Sequence, residues 1–429
     1  MKLNIGIIGL GTVGSGLIEL IERNKNQIKN KYNIELKIVG IHAKSKSKKR
    51  SFNKSNYKWF VDHLKMVEDS SIQLIVELVG GANGIALDVA KKTLNSGKNL
   101  VTANKAMIAI HGNKLIALAE KNKVNISFEA SVAGGIPIIN VLENSLLADK
   151  ISKIYGILNG TSNYILTQML EKKKSFDSVL KNAQALGYAE FDPTDDVSGR
   201  DTAYKISILS NLVFGVPSKF SDVEIKGINT IENIDLSMAD KLGYSIKLIG
   251  LSEKSGNLII QKVQPCLVLK ESIISKVKNE LNTIVIEGDL ADKIVLTGKG
   301  AGKYPTSSAV ISDIIDFRKN KKRRLISYKK EKVKSMHKTK LKYSKEKFYI
   351  RLKVMDKPGV LADITSLFKK QKISISSMFQ MENKKSTAVP LIFMTHNVYN
   401  RELVKAIYRI EKLKNVKSKA TIIKIEESL

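Results

Sequence analysis

The chain has 429 residues, 43% of them hydrophobic and 26% charged, which is the composition of an ordinary globular protein. One cysteine excludes a disulfide framework and a cysteine-based zinc site, and five scattered histidines argue against a histidine metal cluster. No stretch approaches the roughly eighteen apolar residues that a membrane helix needs. Glycines interrupt the apolar run at the N-terminus, so we expect a cytoplasmic protein rather than a secreted one.

The formal net charge of +31 is unusual and raises the question of a polyanionic partner. Only nine of the 72 basic residues are arginine, the residue that reads bases and phosphates with a fork of donors. This scarcity argues against sequence-specific recognition of nucleic acid. Fifteen basic residues lie within 318–347, and they give that segment a net charge of +13. Such a run predicts a solvated basic linker, which we place at residues 319–347.

Strand-like and helix-like patterns alternate over the first 129 residues. Short apolar runs predict strands at Leu3–Ile8, Leu36–Ile41, Leu74–Val79 and Asn99–Thr102. Helical periodicity predicts helices at Val13–Ile28 and Ile85–Leu94. Strands that alternate with helices imply crossover connections and a parallel sheet covered on both faces. The sequence therefore predicts an α/β domain over residues 1–129.

A glycine-rich loop lies between the first strand and the first helix and fits the pattern G-x-G-x-x-G. Gly9 allows a tight turn, Gly11 lets the backbone approach a pyrophosphate, and Gly14 lets helix and strand pack closely. The first helical turn, with Thr12 and Val13, presents free N–H groups to that phosphate. The pattern and its position predict a Rossmann domain that binds NAD or NADP.

The residues after the second strand indicate which dinucleotide is preferred. NAD sites usually place an acidic residue there to hold the ribose hydroxyls, but this chain has none. Lys44 and Lys46 are instead suited to a 2′-phosphate, which favours NADP. The competing interpretation is a solvated basic loop in a lysine-rich protein.

The rest of the chain divides into two further units. Residues 130–299 predict a helix-plus-sheet domain, and residues 300–318 predict a glycine-rich turn that leads into a helix. Residues 348–429 follow the order β-α-β-β-α-β, which is typical of a ferredoxin-like domain.

Two short stretches carry side chains suited to catalysis. Thr102 and Lys105 lie at the carboxyl end of a predicted sheet strand, where open α/β sheets bind ligands. Asp201 and Lys205 are four residues apart and share one face of a helix. A carboxylate beside a lysine, with a second lysine across a cleft, suits a zwitterionic substrate that carries an oxygen to be protonated. On spacing alone, an ordinary surface ion pair is the better interpretation.

The blocks around these residues resemble the homoserine dehydrogenases of the long bacterial type, which carry a C-terminal ACT domain. The matching blocks occur in the family's order and are Gly9–Gly16, Thr102–Ala106, Glu129–Pro137, Gly156–Tyr164, Gly187–Lys205 and Gly300–Thr306. The resemblance implies the reversible NAD(P)-dependent reduction of L-aspartate 4-semialdehyde to L-homoserine. This reaction belongs to threonine, methionine and isoleucine biosynthesis.

The resemblance implies that residues 130–299 form the catalytic and dimerisation domain and that residues 300–318 complete the Rossmann domain. It also implies roles for individual residues. Lys205 is the implied proton donor and acceptor, Lys105 polarises the same substrate oxygen, and Asp201 orients Lys205 and the substrate. Two neighbouring ammonium groups disfavour each other's charged form, so we expect a lowered lysine pKa.

Substrate and cofactor contacts follow from the same resemblance. Glu190 and Asp196 are implied to hold the substrate ammonium group, although the adjacent Asp195 leaves open which aspartate does so. Gly187 and Gly302 are implied to lie close to the cofactor and the substrate.

The resemblance further implies a monovalent cation, Na⁺ or K⁺. Its ligands would be the Glu129 carboxylate and the backbone carbonyls of Val132, Gly134 and Ile136. The alternative is a turn that is merely capped by Glu129.

The C-terminal module resembles an ACT domain, an amino-acid sensor that works in pairs. Asp356–Leu361 follows a strand and opens a helix, with a glycine that lets a ligand carboxylate reach backbone N–H groups. The implied effector is L-threonine, and we expect a homodimer or homotetramer. The alternative is a degenerate module that serves only assembly.

Two rival functions are weighed against the dehydrogenase. The aldehyde dehydrogenase that forms the semialdehyde needs a cysteine nucleophile, but Cys266 lies outside every motif, so we reject this function. The alternative that we keep is a basic nucleic-acid-binding protein on a Rossmann scaffold. That function calls for arginine clusters with interleaved aromatic residues, and the linker contains only Tyr328 and Tyr343.

Overall fold

A computed structural model describes residues 2–215, 219–256, 258–317, 345–380 and 388–429, and a two-residue strand at 334–335. Most of the predicted basic linker, 319–347, therefore lies outside the described residues. Besides residues 334–335, its last three positions are described, because a strand begins at Lys345 rather than at residue 348. No helix of the described residues is long and apolar enough to span a membrane.

The N-terminal domain is a parallel sheet with helices on its faces. Its strands are β1 (Lys2–Ile8), β2 (Glu35–His42), β3 (Lys58–Trp59), β4 (Leu74–Glu77), β5 (Asn99–Thr102) and β6 (Ile126–Ser127). Its helices are α1 (Thr12–Tyr32), α2 (His63–Glu68), α3 (Ile85–Asn95) and α4 (Lys105–Lys121). The described strands lie in the order β3-β2-β1-β4-β5-β6, which confirms the Rossmann prediction.

The strand order explains where a ligand can bind. The chain winds outward in opposite directions from β1 and β4, which are neighbours, so the crevice lies at their carboxyl ends. Both strands are nearly continuous runs of buried apolar residues, as expected for strands covered on both faces.

The second domain packs helices on a sheet. Its strands are β7 (Lys153–Ile157), β8 (Glu224–Ile225), β9 (Tyr244–Ser255), β10 (Leu258–Leu269), β11 (Leu281–Glu287) and β12 (Lys293–Lys299). Its helices are α5 (Ile138–Asn140), α6 (Gly160–Lys172), α7 (Phe176–Ala185), α8 (Thr194–Val197), α9 (Arg200–Phe214), α10 (Asn233–Lys241) and α11 (Ile273–Lys276). The order β12-β11-β7-β9-β10 is antiparallel, and α6 and α9 contact β9.

A later helix, α12 (Lys303–Asp316), returns to the N-terminal domain and packs against α1. The two helices are close at Gly16, where an added Cβ would lie 2.6 Å from Lys303 Cγ and 2.9 Å from Ser307 Oγ. The Ser307 hydroxyl donates a hydrogen bond to the Val13 carbonyl at 2.9 Å. This packing places the 300–302 turn beside the glycine loop.

The C-terminal domain has the predicted ferredoxin-like order. After β13 (Lys334–Ser335), its elements are β14 (Lys345–Met355), α13 (Val360–Lys370), β15 (Ile375–Gln380), β16 (Ala388–Thr395), β17 (Val398–Tyr399), α14 (Asn400–Ile410) and β18 (Thr421–Glu426). Its main strands lie in the order β18-β14-β16-β15. Strand β18 also pairs in parallel with β10 over Cys266–Val268, so one sheet runs through both domains.

Candidate active site

The glycine loop is packed tightly on the side that faces the protein. Gly9 has φ +101° and donates its N–H to the His42 carbonyl at 3.0 Å. A Cβ on Gly9 would lie 2.5 Å from the Leu78 carbonyl, and one on Gly14 would lie 2.0 Å from the Gly9 oxygen. The lack of space for a Cβ atom is therefore sufficient to require glycine at both positions.

Gly11 differs, because a Cβ added there would meet no protein atom within 4 Å. Gly11 precedes α1, whose N-terminus has no side-chain cap and no acidic residue in its first turn, which begins with Thr12 and Val13. The N–H groups of this turn consequently face open space with a partial positive charge. A dinucleotide pyrophosphate fits this loop.

The loop after β2 is basic and solvent-exposed. Lys44 and Lys46 are exposed, and no acidic side chain lies between residues 43 and 50. Arg50 fixes the loop by donating to the carbonyls of Ser45 at 2.7 Å and Lys48 at 2.9 Å. Its guanidinium group is thus committed to the protein, and the two lysines are left for a ligand.

The three residues predicted to be catalytic come together between two domains. Lys105 is the first residue of α4, whereas Asp201 and Lys205 lie one turn apart on α9. Lys205 Nζ lies 2.8 Å from one oxygen of Asp201, and Lys105 Nζ pairs with the other oxygen. The side chains of Asp201 and Lys205 are 2% and 8% exposed, but that of Lys105 is 41% exposed. The cluster is therefore buried on one side and open to a cleft on the other.

Burial and charge act differently on the two lysines. Burial lowers the pKa of Lys205, and the charge of Lys105 adds to this effect. The charge of Asp201 raises the pKa of Lys105. Burial raises the pKa of Asp201, but the two lysines outweigh it and hold that pKa well below its usual value. The prediction of a lowered lysine pKa is confirmed for Lys205, although burial rather than the neighbouring ammonium group is the largest cause. The shared carboxylate instead stabilises the charge of Lys105.

Asn159 organises the carboxylates, a role that the sequence analysis missed. Its Nδ2 donates to Asp196 Oδ1 at 2.7 Å and to Asp201 Oδ2 at 2.8 Å. Its Oδ1 accepts from the backbone N–H of Ser162 at 2.8 Å and so caps helix α6. The signal in the sequence was an asparagine at a helix start within the block that begins at Gly156.

The two adjacent aspartates face different surroundings. Asp196 receives the hydrogen bond from Asn159, and burial together with the charge of Asp201 raises the pKa of Asp196. Asp195 is 56% exposed and lies 3.6 Å from Arg200, away from that contact. Asp196 is thus the aspartate that faces the lysine cluster.

The segment before α8 brings Glu190 and Gly187 to the same cleft. Gly187 has φ +75°, and the Gln184 side chain donates to the carbonyls of Glu190 and Phe191, both at 3.1 Å. Glu190 is exposed, and its charge contributes to the raised pKa of Lys105. Gly302, with φ +124°, precedes α12 at the edge nearer the glycine loop.

Thr102 is buried, and its hydroxyl is bound to a partner that the sequence analysis did not consider. It donates to Glu77 Oε2 at 2.6 Å, and its own oxygen accepts from the backbone N–H of Asn104 at 3.0 Å. The hydroxyl of Thr102 is thus used inside the protein, at the base of the crevice.

The segment expected to bind a cation, which begins at Glu129, contains both a capped turn and a turn with positive φ angles. The Glu129 carboxylate accepts from the backbone N–H groups of Ile139 at 2.9 Å and Asn140 at 2.7 Å, as in a capped turn. The following turn has two consecutive residues with positive φ, Ala133 at 53° and Gly134 at 39°.

The carbonyls of this turn are oxygen ligands of the kind that hard cations prefer. The carbonyl of Ile136 already accepts from the Ile138 N–H at 2.8 Å. The Glu129 carboxylate and the Ile136 carbonyl therefore both have hydrogen-bond partners within the protein.

Comparison with known proteins identifies the family. Three protein-family models match the chain. The homoserine dehydrogenase model matches residues 137–315, and the model of the homoserine dehydrogenase NAD-binding domain matches residues 9–129. The ACT-domain model matches residues 348–415. The homoserine dehydrogenase of Neisseria gonorrhoeae is 37% identical over 430 residues, which cover 99% of this chain and 98% of that protein. The chain belongs to the homoserine dehydrogenase family.

Solved structures agree with this assignment. A homoserine dehydrogenase from Thiobacillus denitrificans superposes with a TM-score of 0.89 at 34% identity, over 100% of this chain and 99% of that one. A mutant of a hyperthermophilic archaeal homoserine dehydrogenase, solved in complex with NADPH, superposes with a TM-score of 0.63 at 28% identity. The superposition covers 74% of this chain and 98% of the archaeal chain.

The family assignment settles the activity. The chain is an oxidoreductase of amino-acid biosynthesis that interconverts L-aspartate 4-semialdehyde and L-homoserine with a nicotinamide dinucleotide, and its ACT domain is consistent with feedback regulation. The comparisons give no support to the nucleic-acid-binding alternative. Cys266 is buried in β10, so the rejected cysteine-dependent function also has no accessible nucleophile.

Proposed function

We propose that Lys205 is the proton donor and acceptor of this homoserine dehydrogenase and that Lys105 polarises the same substrate oxygen. The observation that carries the proposal is the Lys105–Asp201–Lys205 cluster, in which one buried carboxylate bridges two ammonium groups. When bound, the nicotinamide supplies the hydride acceptor or donor. Positioned acid–base groups typically contribute about 10²–10⁴ in rate.

The environment of Lys205 suits proton transfer. Its Nζ donates to Asp201 and to the Leu158 carbonyl at 2.6 Å, which leaves one N–H for the substrate oxygen. Because burial lowers its pKa, Lys205 loses its proton more readily than an exposed lysine and can accept the alcohol proton. Lys105 keeps its charge and stabilises the oxygen as the proton leaves.

Glu190 and Asp196 are proposed to hold the substrate ammonium group. Both lie close enough to Lys105 for their charges to raise its pKa, and Asp196 faces the cluster through Asn159. Asp201 is proposed to orient Lys205 and the substrate.

An absorbance assay at the reduced-nicotinamide band with L-homoserine tests these roles. We expect NADP reduction by the intact enzyme, and Lys205→Ala should abolish turnover while cofactor binding persists. Near-normal activity of Lys205→Ala would contradict the role proposed for Lys205. Asp195→Asn is the matched control, because Asp195 points to Arg200, and it should retain most of the activity.

NADP is proposed as the preferred cofactor. Lys44 and Lys46 are exposed beside the crevice, no acid follows β2, and NADPH is bound by the archaeal relative described above. Dissociation constants for NADP and NAD test this preference. Lys44→Glu should weaken NADP binding and leave NAD binding nearly unchanged, whereas equal weakening of both would contradict the proposal.

A monovalent cation, Na⁺ or K⁺, is proposed to bind the carbonyls of Val132, Gly134 and Ile136 beside Glu129. The turn with two residues of positive φ supports this site. Thermal melting in K⁺, Na⁺ and choline chloride at one ionic strength tests it, because a bound cation raises the melting temperature. Equal melting temperatures in all three salts would contradict the proposal.

L-threonine is proposed as the ACT effector, and a homodimer or homotetramer as the assembly. Gly359 has φ +89° and precedes α13, so the turn that an effector carboxylate would approach is formed. Threonine can inhibit only by binding one conformational state better than another. Inhibition by threonine but not by serine, together with the mass in solution by light scattering, tests both statements. The cytoplasmic location expected from the sequence also stays a prediction.

A further inference from the structure

Glu77 is a buried carboxylate at the base of the crevice. It is the last residue of β4, and it pairs with Ile8 of β1 on one side and with Thr102 of β5 on the other. Its side chain is fully buried, and it forms no ion pair with the residues that the structure describes. Burying a carboxylate without a neighbouring cation costs free energy, so hydrogen bonds must offset the loss of its hydration.

Those hydrogen bonds join two loops that follow neighbouring strands. Glu77 Oε1 accepts from the backbone N–H of Val79 at 2.7 Å and from that of Gly80 at 3.4 Å. Glu77 Oε2 accepts from the Thr102 hydroxyl at 2.6 Å. One side chain therefore fixes the loop after β4 to the end of β5.

Asn104 closes the ring from the other side. Its backbone N–H donates to Thr102 Oγ1 at 3.0 Å, and its Nδ2 donates to the Gly81 carbonyl at 2.7 Å. Its Oδ1 accepts from the Met107 N–H at 3.0 Å and so caps α4, which begins with Lys105. The position of Lys105 is thus tied to the 79–81 loop through this ring.

The 79–81 loop follows the carboxyl end of β4, at the crevice where a dinucleotide can bind. Gly80 and Gly81 have φ +87° and +80°, and a Cβ on either would meet open space rather than tightly packed protein. The preceding residues touch the dinucleotide loop, since a Cβ on Gly9 would lie 2.5 Å from the Leu78 carbonyl and 2.9 Å from Val79 N. The loop therefore borders the glycine loop and is bonded, through the Gly81 carbonyl, to the residue that precedes Lys105.

We propose that Glu77 is a positioning residue that holds the 79–81 loop, at the edge of the cofactor crevice, in fixed register with Lys105. The inference rests on the role proposed for Lys105. An ionised carboxylate suits this task because both of its oxygens only accept. Burial raises the pKa of Glu77, and the hydrogen bonds that it accepts from Thr102 and the loop counteract this effect by favouring the ionised form. The Thr102 hydroxyl must then point to Glu77, which leaves its oxygen free to accept from Asn104.

Glu77→Gln tests the proposal with little change of shape. Its new amide must face either Thr102 Oγ1, which already accepts from Asn104, or the N–H of Val79. We expect kcat for homoserine oxidation to fall at least about tenfold, because a small misplacement of reacting groups is costly, with the KM for homoserine nearly unchanged. The isotope effect with homoserine deuterated at the carbinol carbon should grow, because hydride transfer becomes slower than product release.

Two further variants sharpen the test. Thr102→Val breaks the same ring, so it should reproduce the effect, and adding Glu77→Gln to it should cost little more. Asn83→Ala is the matched control, because Asn83 lies just after the 79–81 loop, bonds His111 of helix α4 at 2.9 Å and takes no part in the ring. It should keep kcat and the isotope effect of the unmodified enzyme.

The outcomes separate cleanly. A lower melting temperature with an unchanged isotope effect in both Glu77→Gln and Thr102→Val would show a merely structural role and overturn the proposal. If Glu77→Gln fails to fold, Thr102→Val alone decides by the same isotope effect. Absence of homoserine oxidation by the unmodified enzyme would instead contradict the function on which the inference rests.

Discussion

Asn159→Asp is a sharp perturbation of the site because it changes one amide to a carboxylate of the same shape. The side-chain oxygen that caps α6 through the Ser162 N–H is retained. The donor that serves both Asp196 and Asp201 is lost, and a third carboxylate is placed between them. The variant therefore isolates the donor role of Asn159 from its capping role.

The expected loss follows from these contacts. Hydrogen bonds to charged groups contribute about 1.5–3 kcal/mol each, so two lost bonds destabilise the protein by roughly 3–6 kcal/mol at neutral pH. The retained cap avoids a further cost of about 1 kcal/mol. Because Asp201 loses its orientation beside Lys205, kcat/KM should fall about 10²-fold.

The pH dependence gives the decisive measurement. Two neighbouring carboxylates raise the pKa of the new carboxyl group in the folded state above its unfolded value of about 3.9. Its protonated form can donate one hydrogen bond, so the stability deficit is smallest below that value. The deficit grows as the pH rises through the raised pKa.

Urea unfolding of Asn159→Asp between about pH 4 and pH 7 measures this change. Asn159→Ser is the control, because it removes the two amide donors, adds no charge and keeps a hydroxyl that can cap α6, so its deficit should change less with pH than that of Asn159→Asp. A deficit in Asn159→Asp that does not change with pH, or a normal kcat/KM, would refute the reasoning.

Three further predictions concern other parts of the structure. Gly11→Ala should weaken NADP binding without lowering the melting temperature, since its Cβ meets no protein atom, whereas Gly14→Ala should destabilise the fold because its Cβ would overlap the backbone. Asp201→Asn should lower the pKa of Lys205 further, because the carboxylate favours the charged amine, and should move the acidic limb of the pH–rate profile for homoserine oxidation to lower pH. Arg351→Met leaves the buried carboxylate of α10 without its cation and should cost about 3–5 kcal/mol in urea unfolding, and an unchanged midpoint would contradict this.

The local sequence was sufficient for much of the fold and for part of the site. The glycine loop, the alternation of strands and helices, and the β-α-β-β-α-β order are patterns within short stretches, and the structure has all of them. Lys105 and Lys205 were singled out, with Asp201, from strand position, helical spacing and the family resemblance. Their meeting on one carboxylate shows how residues far apart in the chain converge.

What the sequence did not reveal depends on contacts between distant segments. Asn159 bonds an aspartate 42 residues later, and Glu77 bonds a threonine 25 residues later, so no local spacing marks either residue. The raised pKa of Lys105 was missed for the same reason, because it requires knowing that Asp201 lies between the two amines. The start of the last domain at Lys345 was also missed, since its first residues continue a run of basic side chains.

The pairing of β18 with β10 has a practical consequence for anyone who shortens this chain. Removing the C-terminal domain would remove β18, the strand that pairs with the backbone of Cys266–Val268. The exposed strand edge could then pair with another chain. A truncated enzyme would therefore tend to self-associate. Substitutions inside the intact C-terminal domain are the sounder way to test or alter regulation through it.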